Sequence, residues 1–403
     1  MTTRPNYSID PSLSSNRNQR KRLRGGQFAQ FAVTLMLTAL VVKQTIIGFS
    51  FASEGYSNAS FGSPSATASS RDFVGNNRRV LSLSELTDGF GNASISAVHS
   101  SSCPDDLVFI HNMPQTDNRR QQTDNRKIPR IIHQTSKSRC VTKLFSGAVS
   151  QWQNFAQEIP GDAKNESPLW EYYFHDDTAV MTLLRREFPE FPHLRAVAEQ
   201  CVIHGTLRAD LWRYLVLWVY GGLYVDLDAA PNDFTALTIQ DDDDGFFVVE
   251  QFHLLSQYFM AVSPRHPLMG YAVHHALLNL LYASDTGSIA AAVTTGPHAL
   301  HRAFQHFRQD VGVQVDPVAS GYQPVSKGHF VGTHNRTIRV VGKAEYQNEY
   351  INRDVLRHKK LGEYSKMSMT HFQQDKKNRT GQSCLSAMLD LHYKYNETWA
   401  MLL

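Results

Sequence analysis

The stretch Tyr220-Gly-Gly-Leu-Tyr-Val-Asp-Leu-Asp228 has two glycines followed by a segment in which apolar and polar side chains alternate. A period of two predicts a β-strand, with the leucines and the valine on one face and Tyr224, Asp226 and Asp228 on the other. We expect two carboxylates one strand period apart to share a hard divalent cation, directly or through water. An isolated Asp-x-Asp is also common at solvated strand ends, so the residues before it decide its meaning.

A buried helix is predicted immediately before this strand. Apolar residues recur at helical spacing from Leu207 to Trp218, and the two glycines end the helix. Asp210 and Arg213 are three residues apart and therefore share a helical face. Because the helix leads straight into the strand, we expect this face to meet the two aspartates, so that four side chains line one pocket. A pair that only ties the helix to the sheet is the alternative.

Three segments resemble glycosyltransferase family 32, the Asp-x-Asp sugar transferases that include mannosyltransferases. Arg208-Ala-Asp-Leu-Trp-Arg-Tyr-Leu215 together with the stretch ending at Asp228 resembles the family signature. Ile128-Pro-Arg-Ile-Ile-His-Gln-Thr135 is similar to the family's first strand, and Thr294-Thr-Gly-Pro297 to its Thr-Gly-Pro turn. The resemblance implies an α/β protein with a GT-A type nucleotide-diphospho-sugar transferase fold. It also implies retaining transfer of a hexose from a sugar nucleotide.

The resemblance assigns roles to the residues of the predicted pocket. Asp226 and Asp228 are expected to act in catalysis by holding Mn²⁺ or Mg²⁺, which stabilises the departing diphosphate. Asp210 and Arg213 are expected to grip the donor sugar through hydrogen bonds to its hydroxyls, with Tyr224 packed beside it.

Other candidate residues lie outside this pocket in the sequence. His133 is predicted to end the first strand, where α/β folds commonly meet a nucleotide, and Gln134 and Thr135 are predicted to touch the base or ribose, so that all three are expected to bind the donor. An ordinary strand-to-loop transition is the alternative. His371 is the expected C-terminal metal ligand, with a surface histidine as the alternative. The acidic run 241–244 is predicted to be a solvated loop and is not assigned to a metal.

The substrates and partners are predicted more coarsely. GDP-mannose is the donor that the resemblance favours, with UDP-sugars as the alternative, and the acceptor is a glycan or a glycolipid. A net charge of +3 on 403 residues favours no nucleic-acid partner. A non-catalytic lumenal sugar-binding or scaffold protein is a competing hypothesis. A metal-dependent phosphohydrolase is another, but it normally needs more His and Asp ligands than this segment offers.

Composition divides the chain into four predicted parts. These are a basic cytosolic tail (1–27), an apolar signal-anchor transmembrane segment (28–52), a Ser/Asn-rich flexible stem (53–126) and a lumenal catalytic domain (127–403, with its motifs in 127–300). The basic cluster before residue 28 predicts a cytosolic N-terminus, hence a single-pass type II protein of the Golgi or endoplasmic reticulum membrane. A cleaved signal peptide is the alternative. Four cysteines allow disulfides in that compartment, with three pairings open.

The anchor hypothesis predicts that the protein stays with membranes after alkaline carbonate extraction and shifts in size on glycosidase digestion. The shift is expected because Asn-x-Ser/Thr sequons follow the apolar segment, at Asn58, Asn92, Asn165, Asn335, Asn378 and Asn396. Release into the soluble fraction would favour the cleaved signal, and an unchanged size after digestion would count against a lumenal domain.

Overall fold

The computed structural model describes residues 80–88, 103–114, 125–157, 170–202, 205–250, 254–284, 290–309, 325–344, 350–353, 360–367, 383–386 and 388. The predicted cytosolic tail and membrane anchor, most of the stem and His371 lie outside these residues. Within the described ranges, no helix is both long enough and apolar enough to cross a membrane.

Helices surround a central sheet. In chain order they are α1 (Leu83–Asp88), α2 (Lys143–Gln157), α3 (Asp177–Leu184), α4 (Leu194–Gln200), α5 (Gly205–Tyr220), α6 (Pro267–Leu281), α7 (Ala291–Thr294), α8 (Pro297–Gln309) and α9 (Lys360–Lys366). The strands are β1 (Leu107–Phe109), β2 (Ile131–Thr135), β3 (Cys140–Thr142), β4 (Glu171–His175), β5 (Gly222–Val225), β6 (Ala230–Pro231), β7 (Gly245–Glu250), β8 (Leu255–Val262), β9 (Gly328–Val331), β10 (Thr337–Ala344) and β11 (Ile351–Asn352).

Seven strands form the central sheet in the order β4-β2-β5-β8-β7-β10-β9. β4, β2 and β5 run parallel, whereas β8 is antiparallel to both of its neighbours, β5 and β7. Because parallel strands end at the same edge of a sheet, the residues that follow β4, β2 and β5 meet there. The α/β class predicted from the sequence is confirmed as a mixed sheet with helices on both faces.

The junction between α5 and β5 depends on two glycines in the left-handed region. Gly221 has φ of +67° and Gly222 has φ of +94°. A Cβ on Gly221 would lie 2.7 Å from the ring of Pro264, and one on Gly222 would lie 2.6 Å from the carbonyl oxygen of Ile131. Only glycine fits both the backbone conformation and the space. The predicted end of the helix at these residues is confirmed.

Two apolar cores lie on opposite faces of the sheet. Leu223 and Val225 of β5 belong to the core beneath α2, which contains Trp152, while Tyr224 belongs to the core beneath α5, which contains Trp212. The alternation predicted for this segment therefore holds through Val225, and both faces of β5 are buried. A strand buried on both faces is typical of the centre of an α/β sheet.

The acidic run 241–244 is only partly a solvated loop, so that prediction is wrong for its second half. Asp243 and Asp244 are 5% and 3% exposed. Asp243 forms an ion pair with Arg339, and Asp244 one with Arg336, which fixes the start of β7 to β10. Sequence alone could not show this, because both arginines lie more than 90 residues downstream.

The structure selects one of the three cysteine pairings. Cys103 is bonded to Cys140, which joins the segment before β1 to the start of β3. Cys201, at the end of α4, is bonded to Cys384. The second bond closes a loop of 183 residues in sequence. Both bonds connect cysteines that are far apart in sequence, so local sequence patterns could not predict the pairing.

Replacing Gly222 with Ala should lower the free energy of unfolding by at least about 2 kcal/mol, because the new Cβ combines a strained φ with a contact to backbone. The matched control is Gly147→Ala within α2, where an added Cβ meets no atom within 4 Å. This control should raise stability by about 0.5–1 kcal/mol, the usual helical gain over glycine. Urea denaturation of both variants measures the difference, and equal stabilities would contradict the steric argument.

Candidate active site at the end of strand β5

The two aspartates of the Asp-x-Asp sequence lie beyond β5 and not within it. The strand ends at Val225, and a turn follows in which Ala229 N donates to Asp226 O at 3.1 Å. The expectation that both carboxylates project from one strand face is therefore wrong. Because the backbone turns after Asp226, the two side chains meet different partners, one arginine each.

Asp226 faces helix α5. Arg213 Nη1 lies 3.1 Å from Asp226 Oδ1, and the Tyr224 hydroxyl donates to the same oxygen at 2.7 Å. The Arg213 guanidinium also lies over the Tyr224 ring, 4.7 Å from its centroid. Both contacts use Oδ1, so Oδ2 is left for a ligand. With 25% of its side chain exposed, Asp226 is more open to solvent than Arg213, at 9%.

The predicted Asp210–Arg213 pair exists and is buried. Arg213 Nη2 lies 3.2 Å from Asp210 Oδ1, so one guanidinium bridges two carboxylates through its two terminal nitrogens. Its Nη1 also donates to the carbonyl oxygen of Gln257 at 3.2 Å. The structure thus brings Asp210, Arg213 and Asp226 together, as the sequence predicts, with Tyr224 beside them. Asp228, the fourth side chain expected in this pocket, pairs with a different arginine, so that part of the prediction is wrong.

Two residues that were not predicted as site residues complete this network. Thr295 Oγ1 donates to Asp210 Oδ2 at 2.8 Å, and Gln257 Nε2 donates to the Tyr214 hydroxyl at 2.8 Å. Thr295 belongs to the Thr-Gly-Pro turn, so the sequence did carry a signal for it. The Tyr214 hydroxyl in turn donates to the carbonyl oxygen of Thr295 at 2.8 Å. The turn after α7 is therefore fastened to α5 and β8.

Burial and neighbouring charges change the proton affinities of this group. Burial raises the pKa of Asp210 to about 6, although Arg213 and the Thr295 hydrogen bond act against this rise. For Arg213, burial acts to lower the pKa, but Tyr224, Asp226 and Asp210 together raise it above its usual value. The guanidinium therefore stays charged at neutral pH and remains a fixed positive centre between two carboxylates.

Asp228 lies on the other side of the turn and pairs with Arg353, a residue that no sequence motif indicated. Arg353 Nη2 lies 3.3 Å and 3.4 Å from the two carboxylate oxygens, and its guanidinium is 4.0 Å from the centroid of the Tyr258 ring. The side chain of Asp228 is 5% exposed. A cavity of about 170 Å³ adjoins it, lined by Lys143, Leu144, Gly147, Ala148, Gln151, Asp228, Ala230 and Asn352.

His133 does not end the first strand, which is a correction to the prediction. β2 continues to Thr135, and His133 is fully buried in its middle. Its Nε2 donates to the carbonyl oxygen of Gly221 at 3.0 Å, and its Nδ1 lies 3.2 Å from His175 Nε2. Burial lowers the pKa of His133 to about 4, against a raising effect of the Gly221 bond. With both ring nitrogens engaged, this side chain fastens β2 to the glycine turn.

Gln134 and Thr135 are closer to the site. Gln134 Nε2 donates to the carbonyl oxygen of Asp226 at 3.3 Å, and its Oε1 accepts from the Tyr172 hydroxyl at 2.7 Å. Thr135 Oγ1 donates to the carbonyl oxygen of His175 at 2.8 Å. Thr135 is the most exposed of the three predicted residues of β2, because it is the last residue of the strand.

The residues present fit a hard divalent cation in part. Asp226 and Asp228 supply carboxylate oxygens, and each is also paired with a guanidinium, with which a cation would share the carboxylate. Among the residues that the structure describes, no cluster of three or more Asp, Glu, His or Cys side chains is arranged to hold a metal. Such a donor pair suits a cation that takes its other ligands from phosphate oxygens and water.

Part of the chain, including the DXD sequence, is similar to known proteins. Residues 130–242 match a family model described as a glycosyltransferase sugar-binding region containing a DXD motif. The chain is 30% identical over 105 residues to inositol phosphoceramide mannosyltransferase 3 of Schizosaccharomyces pombe, covering 26% of this chain and 25% of the relative. It is 24% identical over 158 residues to inositol phosphoceramide mannosyltransferase 1 of that organism, covering 37% of this chain and 43% of the relative.

The chain therefore spans less than half the length of these curated relatives. A solved structure, the PaToxG glycosyltransferase, is 15% identical and covers 45% of this chain and 73% of its own, with a TM-score of 0.31, too low to identify a fold. Asp226-Leu227-Asp228 is the DXD sequence within the matched region. Residues 130–242 are thus similar to a glycosyltransferase sugar-binding region containing a DXD motif, which confirms the predicted resemblance to glycosyltransferase family 32.

Proposed function

We propose that the chain is a metal-dependent, retaining glycosyltransferase of GT-A architecture that moves a hexose from a nucleotide sugar to an acceptor. The observation that carries this proposal is the Arg213 bridge between Asp210 and Asp226 at the carboxyl end of the parallel strands. Binding sites of open α/β sheets lie at this edge. The buried guanidinium of Arg213 contacts both carboxylates, and Asp226 still has 25% of its side chain exposed. A pair that only joined helix to sheet would not need this second, more exposed carboxylate.

Each side chain has a separate task in the proposed reaction. A bound Mn²⁺ or Mg²⁺ would neutralise the departing nucleoside diphosphate. Asp226 offers Oδ2 to that cation because Arg213 and Tyr224 both contact Oδ1. Asp228 offers its carboxylate from the other side of the turn. No side-chain nucleophile is assigned, and the acceptor hydroxyl is proposed to attack from the face that the nucleotide leaves.

The donor sugar is proposed to contact Arg213 and Asp226, while Asp210 holds Arg213 in place. Both oxygens of Asp210 have partners, Arg213 and Thr295, and the residue is only 4% exposed. Its main effect is therefore to orient the guanidinium. A rigid guanidinium positions sugar hydroxyls well, because little rotational freedom remains to be lost on binding.

Mannose is the proposed sugar and GDP-mannose the proposed donor, because the relatives are mannosyltransferases by name. Their names also indicate inositol phosphoceramide as acceptor, so a glycolipid is proposed here, with a glycan as the alternative. The proposed location is the Golgi or endoplasmic reticulum lumen behind a membrane anchor. The two disulfide bonds support this, since such bonds persist in oxidising compartments.

A non-catalytic sugar-binding protein is the second candidate, favoured by one observation. Both DXD carboxylates are already paired with arginines, as they would be in a site that binds without reacting. Release of nucleoside diphosphate from GDP-mannose, UDP-galactose and UDP-GlcNAc by the purified full-length chain, with and without Mn²⁺, separates the two. Release of none of them under any metal condition would reject the enzyme proposal.

Replacing Asp228 with Asn should reduce nucleoside-diphosphate release by about 100-fold or more, the usual loss when one electrostatic stabiliser of a transition state is removed. Asn preserves the shape of the side chain but removes the charge that pairs with Arg353, so the melting temperature should fall, and a melting curve shows whether the variant is folded at the assay temperature. Asp241→Asn is the control, because that aspartate is 73% exposed and lies outside the site. Wild-type rates in Asp228→Asn at saturating Mn²⁺ would reject the metal-ligand role.

Replacing Arg213 with Lys should reduce the transfer rate by about tenfold or more, since small displacements of reacting groups are costly. Arg213 contacts Asp210 and Asp226 through different nitrogens, and the single ammonium of Lys cannot reproduce that bridge. Arg185→Lys, in an exposed pair with Glu199, is the control. Near-wild-type rate and donor affinity in Arg213→Lys would leave Arg213 only a structural partner of Asp210.

A further inference from the structure

Arg353 reaches the candidate site through a short two-stranded ladder. β11 pairs antiparallel with β6, with Ile351 opposite Pro231 and Asn352 opposite Ala230. The next residue, Arg353, is thereby delivered to the turn that contains Asp228, although 125 residues separate the two in sequence. The pairing of these two strands places a second guanidinium, that of Arg353, beside the DXD sequence.

The contact between Arg353 and Asp228 is loose for an ion pair. Charge-assisted N–H···O bonds usually measure about 2.7–2.9 Å and often use two nitrogens of the guanidinium. Here Nη2 alone contacts both oxygens, at 3.3 Å and 3.4 Å. Nε of Arg353 is buried and has no hydrogen-bond partner within the described part of the chain. The guanidinium therefore has unused donor capacity right beside the proposed cation ligand.

The surroundings of this pair suit an anion as well as a cation. The cavity of about 170 Å³ next to Asp228 is lined by Lys143 at the start of α2 and by Asn352, the neighbour of Arg353. The Tyr258 ring supports one face of the guanidinium, 4.0 Å from its centroid, which orients the fork. A planar fork with unused donors matches the oxygens of a phosphate group.

We propose that Arg353 is a diphosphate-binding residue that exchanges partners when the donor binds, a proposal that rests on the proposed function. In the ligand-free chain Arg353 neutralises Asp228 and competes with any divalent cation for that carboxylate. When a cation enters together with a nucleoside diphosphate, Asp228 contacts the cation and the guanidinium binds the phosphate oxygens. The exchange requires no change in the charge of any residue.

The proposal predicts opposite effects of Arg353→Gln on two binding constants of the full-length chain. The affinity for Mn²⁺ alone should rise about fivefold, because a competing positive charge is removed. The affinity for GDP or UDP at saturating Mn²⁺ should fall about tenfold or more, because hydrogen bonds to a charged group are lost. Titration calorimetry measures both, and Mn²⁺ electron paramagnetic resonance measures the first independently.

Two further variants make the result decisive. Arg353→Lys keeps the charge, so its Mn²⁺ affinity should stay near that of wild type, while its nucleotide affinity should lie between those of wild type and Arg353→Gln. Arg185→Gln removes an exposed charge that pairs with Glu199 and contacts no residue of the site, so it should change neither constant. Melting curves of each variant check folding, and if Arg353→Gln is unfolded, the Lys variant still tests the nucleotide effect.

The outcomes separate this proposal from the proposed function. If wild type binds neither GDP nor UDP with Mn²⁺, the proposed function and this inference both fail. If wild type binds one of them but Arg353→Gln changes neither constant, or changes both in the same direction, the partner exchange alone is overturned. For the Lys variant, an unchanged nucleotide affinity would also overturn it.

Discussion

The turn from α5 into β5 requires glycine at two successive positions. The geometry of the candidate site depends on this turn. Positive φ at Gly221 and Gly222, with backbone and a proline ring against the missing side chains, lets the chain pass directly from helix to central strand. Helix and strand consequently lie against each other with no intervening loop. Arg213, two turns before the end of the helix, is then level with Asp226, the first residue after the strand.

Charge balance explains why this group of side chains is stable in a mostly apolar setting. Three carboxylates, Asp210, Asp226 and Asp228, are matched by two guanidiniums, and the buried members also accept hydrogen bonds. An unpaired buried charge would cost several kcal/mol, whereas a bridged one is largely compensated. The remaining negative charge lies at the exposed end of the group, where a cation can reach it.

The two arginines, Arg213 and Arg353, divide the site into two parts with different character. On the α5 side, Arg213 is buried and has three partners, the carboxylates of Asp210 and Asp226 and the carbonyl oxygen of Gln257, which together hold it in place. On the α2 side, Arg353 contacts a single carboxylate, that of Asp228, through one nitrogen, and Asp228 adjoins an open cavity. Rigid groups suit the orientation of a sugar, whereas a loosely held guanidinium suits the arrival and departure of a charged ligand.

The sequence by itself determined the helix before the glycines, the strand after them, the shared face of Asp210 and Arg213, and the DXD resemblance. The first three follow from spacing within about twenty residues, where chain geometry alone decides which side chains are neighbours. The DXD resemblance rests on matching motif residues and not on spacing. Tertiary structure decided the rest. The turn at Asp226 separated the two aspartates, the pairing of β11 with β6 brought in Arg353, and the position of β2 inside the sheet buried His133. Such partners lie tens to more than a hundred residues apart in sequence, and only the order and register of the strands determine which of them meet.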